Sequence, residues 1–136
     1  AEDIEALEEA AGAQAPSGVV FLPTLDSYLM GYKERSRYLQ ESDRTYIFDR
    51  SGNAAATILV NGRAEGVWDY EGREEPTVRL FLFRQLGSQV MDEIMAAARR
   101  LGEWMSGDKT LLKVCERMVP LTERPAGAVM SPLKGF

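Results

Sequence analysis

The chain has no histidine and one cysteine among its 136 residues. Without histidine, Ser-His and Cys-His nucleophile pairs and the common histidine-containing zinc sites are excluded. A nucleophile-and-base enzyme would have to run on carboxylates, Lys or Tyr. A single thiol, Cys115, excludes an intrachain disulfide framework and points to the cytoplasm. No apolar run approaches the roughly 18 residues that cross a bilayer, so no membrane partner is expected. Neither Gly-x-x-x-x-Gly-Lys-Ser/Thr nor Gly-x-Gly-x-x-Gly occurs, which leaves a nucleotide-binding loop unsupported. Internal repeats and low-complexity segments are also missing.

What is present is a globular balance, 45% apolar and 27% charged residues, enough for one domain with a real core. Sixteen Lys and Arg stand against 21 Asp and Glu, a net charge of −5. Five of those acids (Glu2, Asp3, Glu5, Glu8, Glu9) fall in the first ten residues, which hold no base. The body is therefore neutral, and it has no global field to draw in a polyanion. Any nucleic-acid contact must be a local patch. The chain starts at Ala1 with no basic start, apolar stretch or small-residue cleavage site, so no signal peptide is expected.

Residues 2–11 read as a short acidic helix, with Ile4, Leu7 and Ala11 on one side, followed by a linker to Gly18. Val19–Leu22 suits a buried strand ended by Pro23. Asp26 is placed to cap a helix with Leu25, Leu29 and Tyr32 on one face. Thr45–Phe48 has strand composition. Asn61-Gly62 predicts a type I′ turn between strands over 54–60 and 63–70. With regular pairing, Leu59 opposes Ala64, Thr57 opposes Gly66 and Ala55 opposes Trp68, so Ala55, Leu59, Ala64 and Trp68 form one core face. A third strand, Thr77–Phe83, is apolar on both faces, and each needs a cover. From Ser88 to Met105, a stripe of Val90, Met91, Ile94, Met95, Ala98, Leu101 and Met105 predicts a long helix capped by Ser88. Beyond Gly107, three prolines and an apolar burst at Leu111–Val114 suggest a short helix and an extended tail. The expected architecture is α+β: an antiparallel sheet of an N-terminal strand, the 54–70 hairpin and strand 77–83, packed by a helix near 88–105. The expected divisions are 1–18, 19–107 and 108–136.

Most chemistry-bearing residues have bland readings. Ser17 and Ser51 precede glycines and lack a base, so they are turn residues. The neighbours Glu74-Glu75 and Asp92-Glu93 point in different directions, as poor metal clamps do. Cys115 lies between Lys113 and Arg117, which would favour a thiolate, but beside Val114 it reads better as a small core residue. The segment from Asp26 to Arg37 is richer, with Tyr28, Tyr32, Lys33 and Arg35 alongside. Cations contact phosphates and rings stack on unpaired bases, and Arg63 and Trp68 would add to such a site. Composition alone favours the plainer reading, a helix end in which Arg35 pairs with Asp26 and a tyrosine enters the core.

The string Phe21-Leu22-Pro23-Thr24-Leu25-Asp26, continuing to Gly31-Tyr32-Lys33-Glu34-Arg35-Ser36-Arg37, resembles a signature of the winged-helix DNA-binding family that contains the AlkZ-type DNA glycosylases. Thr57-Ile58-Leu59-Val60-Asn61-Gly62-Arg63 and Gly66-Val67-Trp68 resemble that family's strand, Gly-Arg turn and Gly-x-Trp. The resemblance covers about residues 19–107. It implies the sheet-rich C-terminal region of a longer chain, one that binds DNA and in some members removes alkylated bases or unhooks crosslinks. The family's catalytic motif is Gln, an apolar residue, then Asp or Gln. None of Gln14, Gln40, Gln85 and Gln89 has Asp or Gln two residues later, so no catalytic residue is carried over. The resemblance implies Lys33, Arg35, Arg37 and Arg63 at phosphates, Tyr32 and Trp68 shaping the site, and Asp26 orienting Arg35. No metal or organic cofactor is implied. Two alternatives stay open. One is a protein-interaction or dimerisation module using helix 2–11 and the Met91, Met95 and Met105 face, and the other is a small-molecule pocket between sheet and helix.

Overall fold

Asn61 and Gly62 both take positive φ, 50° and 81°, as the tight turn requires. In the computed structural model, which describes residues 18–26 and 38–135, this turn joins β2 (Thr57–Val60) to β3 (Arg63–Glu71). Val60 opposes Arg63 and Leu59 opposes Ala64, as expected. Then the register slips: Ile58 opposes Gly66 and Thr57 opposes Val67, leaving Glu65 as an extra residue in β3. The bulge corrects the regular pairing. Val67 joins Ala55, Leu59 and Ala64 on one face, and Trp68 turns to the other with Ile58. A Cβ at Gly66 would stand 2.5 Å from the Phe81 carbonyl oxygen, so only glycine lets β4 close on the bulge.

Five strands line up in chain order. β1 (Val19–Leu22), β2, β3 and β4 (Thr77–Leu82) are antiparallel neighbours. β5 (Leu111–Cys115) lies parallel to β4, so the sheet is mixed, and a strand replaces the short helix expected after Gly107. The reason is local and topological. Parallel strands need a long crossover, and the helix between them supplies it. The Leu111 N–H bonds the Pro76 carbonyl at 2.9 Å and starts the ladder. The Thr45–Phe48 strand expectation also fails. After a 3₁₀ turn at Glu41–Asp43, Arg44–Ile47 forms the short helix α1, and only Phe48 pairs, bridging Ala54. The turn that begins at Asp49 reverses the chain before a ladder can grow.

The crossover helix, α2 (Ser88–Ser106), follows its predicted stripe as far as Leu101, whereas Met105, expected on it, is exposed. Ile94 and Ala98 are buried, with Val90, Met91 and Leu101 packed beside Ile58, Trp68, Val78 and Leu80. Gly87 rather than Ser88 occupies the cap position, and no side chain bonds there. The opposite sheet face carries Leu59, Ala64 and Val67, with Phe81 and Phe83 packed against them. Its cover is α1 together with the C-terminal segment: Leu121, Val129 and Leu133 are all buried. The expected tail is therefore a core layer, and burying each of its large apolar side chains contributes about 1.5–3 kcal/mol. The acidic helix read at 2–11 and its linker lie outside the described residues, as does most of the helix read after Asp26. Leu25, expected on that helix's apolar face, is half exposed with φ 61° and donates its N–H to Ala54 O at 2.8 Å.

A buried ion pair fastens this layer to the sheet. Asp69, on β3, accepts from Arg79 on β4 at 2.6 and 2.9 Å and from the Leu133 N–H at 3.0 Å. Asp69→Ala leaves Arg79 and that N–H unpaired together. We expect a loss of about 3–5 kcal/mol in urea unfolding, with earlier proteolysis of the segment around Leu133.

Candidate nucleic-acid interface

Strand direction decides which charged residues share an end of the sheet. Gly66 opposes Leu82 and Phe81 opposes Cys115, so the Arg63 turn, Arg84 and Arg117 all lie toward one end. At the other end Glu71 opposes Thr77 and Thr77 opposes Leu111, which gathers Glu71, Glu74, Glu75 and Asp108. An open pocket of about 380 Å³ there is lined by Glu71, Arg73, Glu74, Glu75 and Thr77. Glu74 and Glu75 are exposed, as solvated carboxylates should be. Among the described residues no three acids or thiols converge as a metal cage.

Arg63 is exposed at the hairpin tip. The Asn61 side chain accepts from Gly18 N–H at 2.8 Å, and its own N–H donates to Gly18 O at 2.9 Å, fixing the turn to the start of β1. Lys33, Arg35, Arg37, Tyr28 and Tyr32 lie outside the described residues, but both ends of their segment are in view. The chain leaves the sheet after the Leu25–Ala54 bond. It returns at Tyr38, whose carbonyl accepts the Ala64 N–H. The residue after Arg37 is thus bonded to the residue after Arg63. Asp26 is half-buried at the departing end.

Trp68 is no stacking platform. It is 7% exposed, its ring lies 5.7 Å from that of Phe21, and its indole N–H donates to Leu22 O at 3.0 Å. It holds the strand end that precedes Pro23. Arg84 was not legible in the sequence. Its guanidinium bridges Asp43 and Glu65, tying the returning segment to the bulge. Both partners are distant in sequence, and no local pattern announces them.

Cys115 lines an opening of about 500 Å³ with Lys113, Val114, Glu116, Arg117 and Gly135. Burial pushes its thiol up; Lys113 and Arg79 pull the other way, and Asp69 adds to the rise. The thiol stays protonated near neutral pH, which favours the core reading. We expect iodoacetamide to label the native protein at pH 7.5 more slowly than the urea-unfolded chain; equal rates would contradict this.

Asp49 anchors the turn after α1. Burial works to raise its carboxyl. The Asn53 N–H at 2.9 Å, the Asn53 side chain at 3.2 Å and the Ser51 N–H at 2.9 Å outweigh that, with Gly52 adding to them, so it ends below 3.8. A lowered folded value stabilises fully above the unfolded value and is lost as pH falls through the folded one. The Tm gap between wild type and Asp49→Asn should therefore be constant at neutral pH and shrink below about pH 4.

A family model described as DNA glycosylase AlkZ-like matches residues 1–104. The fold is similar to that of Streptomyces sahachiroi DNA glycosylase AlkZ, with a TM-score of 0.58 and 20% sequence identity. That likeness covers 81% of this chain and 29% of the other, so the chain spans less than a third of that protein's length. No curated protein matches the sequence.

Proposed function

The chain belongs to the DNA glycosylase AlkZ-like family, and on that premise we propose that it is the DNA-associated module of a winged-helix, glycosylase-like protein, placed in the C-terminal part of the longer chain. The module positions DNA, and base removal falls to residues outside it, since no Gln, apolar residue, Asp or Gln motif occurs here. Lys33, Arg35, Arg37 and Arg63 contact phosphates, which fixes register without reading bases. Tyr32 contributes its ring, Asp26 orients Arg35, and Trp68 shapes the site from beneath through Leu22.

The observation that carries this reading is the Ala64 N–H to Tyr38 carbonyl bond. It joins Tyr38, the residue after Arg37, to Ala64, the residue after Arg63. A neutral body with a local patch suits a part of a DNA enzyme better than an independent binder, because long-range steering wants an excess of positive charge.

A second reading rests on Trp104, which is 82% exposed near the end of α2, beside Met105 at 40%. An apolar surface of that kind suits a protein partner or a second copy. Met91, by contrast, is packed against the sheet.

Binding to fluorescent duplex DNA across a salt series separates the two. Phosphate contact predicts a steep loss of affinity with salt, and Arg63→Ala should reduce the log–log slope by about 0.9. A flat titration, together with a dimer in sedimentation equilibrium, transfers the assignment to the interaction reading.

A further inference from the structure

We propose that the opening beside β5 is a phosphate-binding site, held by Lys113 and Arg117, which takes a backbone phosphate of the same DNA. The inference rests on the DNA reading and extends its contact surface beyond the residues that the family match covers.

β5 is an edge strand of the sheet, paired only with β4 among the described strands. Lys113 and Arg117 are both exposed and line the opening of about 500 Å³, with Gly135 also on its wall. Among the described residues neither cation makes an ion pair. The inner arginines differ: Arg79 is committed to Asp69, and Arg84 to Asp43 and Glu65. Among the described residues one carboxylate, Glu116, shares the lining, which leaves those residues one positive charge in excess. A phosphodiester carries one negative charge and matches that excess. Arg117 offers a planar fork for two phosphate oxygens and Lys113 a compact charge. The neutral Cys115 thiol on the same wall adds no repulsion.

Position supports DNA as the source of the phosphate. Arg63 begins β3, and Arg117 follows the end of β5, toward the same end of the sheet. Two strand spacings separate β3 from β5, roughly 10 Å. One backbone laid across these strand ends would meet both cations.

The test compares the full chain with Lys113→Gln/Arg117→Gln, two exposed changes that leave the core untouched. Inorganic phosphate, followed by backbone amide NMR, should shift residues 113–117 and 135 in the wild type and not in the variant. In the duplex DNA salt series the variant's slope should fall by about 1. Absent phosphate shifts, or shifts that persist in the variant, overturn the site. Wild-type DNA binding with an unchanged slope in the variant overturns its role on DNA while the reading built on Arg63 survives. Phosphate shifts at these residues without any DNA binding support the site with free phosphate as the source, and defeat the DNA reading.

Discussion

The extra residue at Glu65 in β3 decides which side chains face which layer. A strand alternates its faces strictly, so one inserted residue exchanges the faces of everything after it. Past the bulge, Trp68 faces α2 and Val67 faces the C-terminal segment. Asp69 then stands where Arg79 and the Leu133 N–H can reach it. A regular hairpin would put the indole among the tail residues and the carboxylate under the helix. The bulged residue's own carboxylate is held by Arg84, which also reaches Asp43. The irregularity that sorts the core is thus also where the returning segment is tied down.

Local chemistry made some of this legible in the sequence. The Asn-Gly turn, strand 77–83 with two faces to cover, and the α2 stripe each follow from a pattern within a short window. The failures share a cause: in each, the deciding partner lies far along the chain. No composition marks Glu65 as a bulge; Gly66 is the nearest sign, and its reason is the Phe81 carbonyl on another strand. Leu111–Cys115 becomes a strand because β4 offers an open edge once α2 has crossed. Residues 121–133 look like a loop because their prolines break any period, yet three of their apolar side chains fill the second layer. At the candidate interface, Arg63 was legible as a turn cation. The supporting role of Trp68 was not, because it depends on a bond to Leu22, 46 residues away.

Charge on this sheet is organised by strand polarity rather than by composition. The body is neutral, yet Glu71, Glu74 and Glu75 collect at one end and Arg63 and Arg117 at the other. The proposed contact with DNA uses the cationic end and leaves the acidic end turned away from the polyanion.

The second layer has a consequence for how the chain is made. β1 to β4 can pair by hairpin-like steps, and α2 can settle on one face, while the other face is still only partly covered. α1 covers part of it, and the stretch from Leu121 to Leu133, which leaves the ribosome after every strand, completes the cover. Each newly synthesised molecule passes through an interval with a sticky, half-roofed sheet. Shielding by a chaperone matters most in that interval, before residues 121–133 emerge.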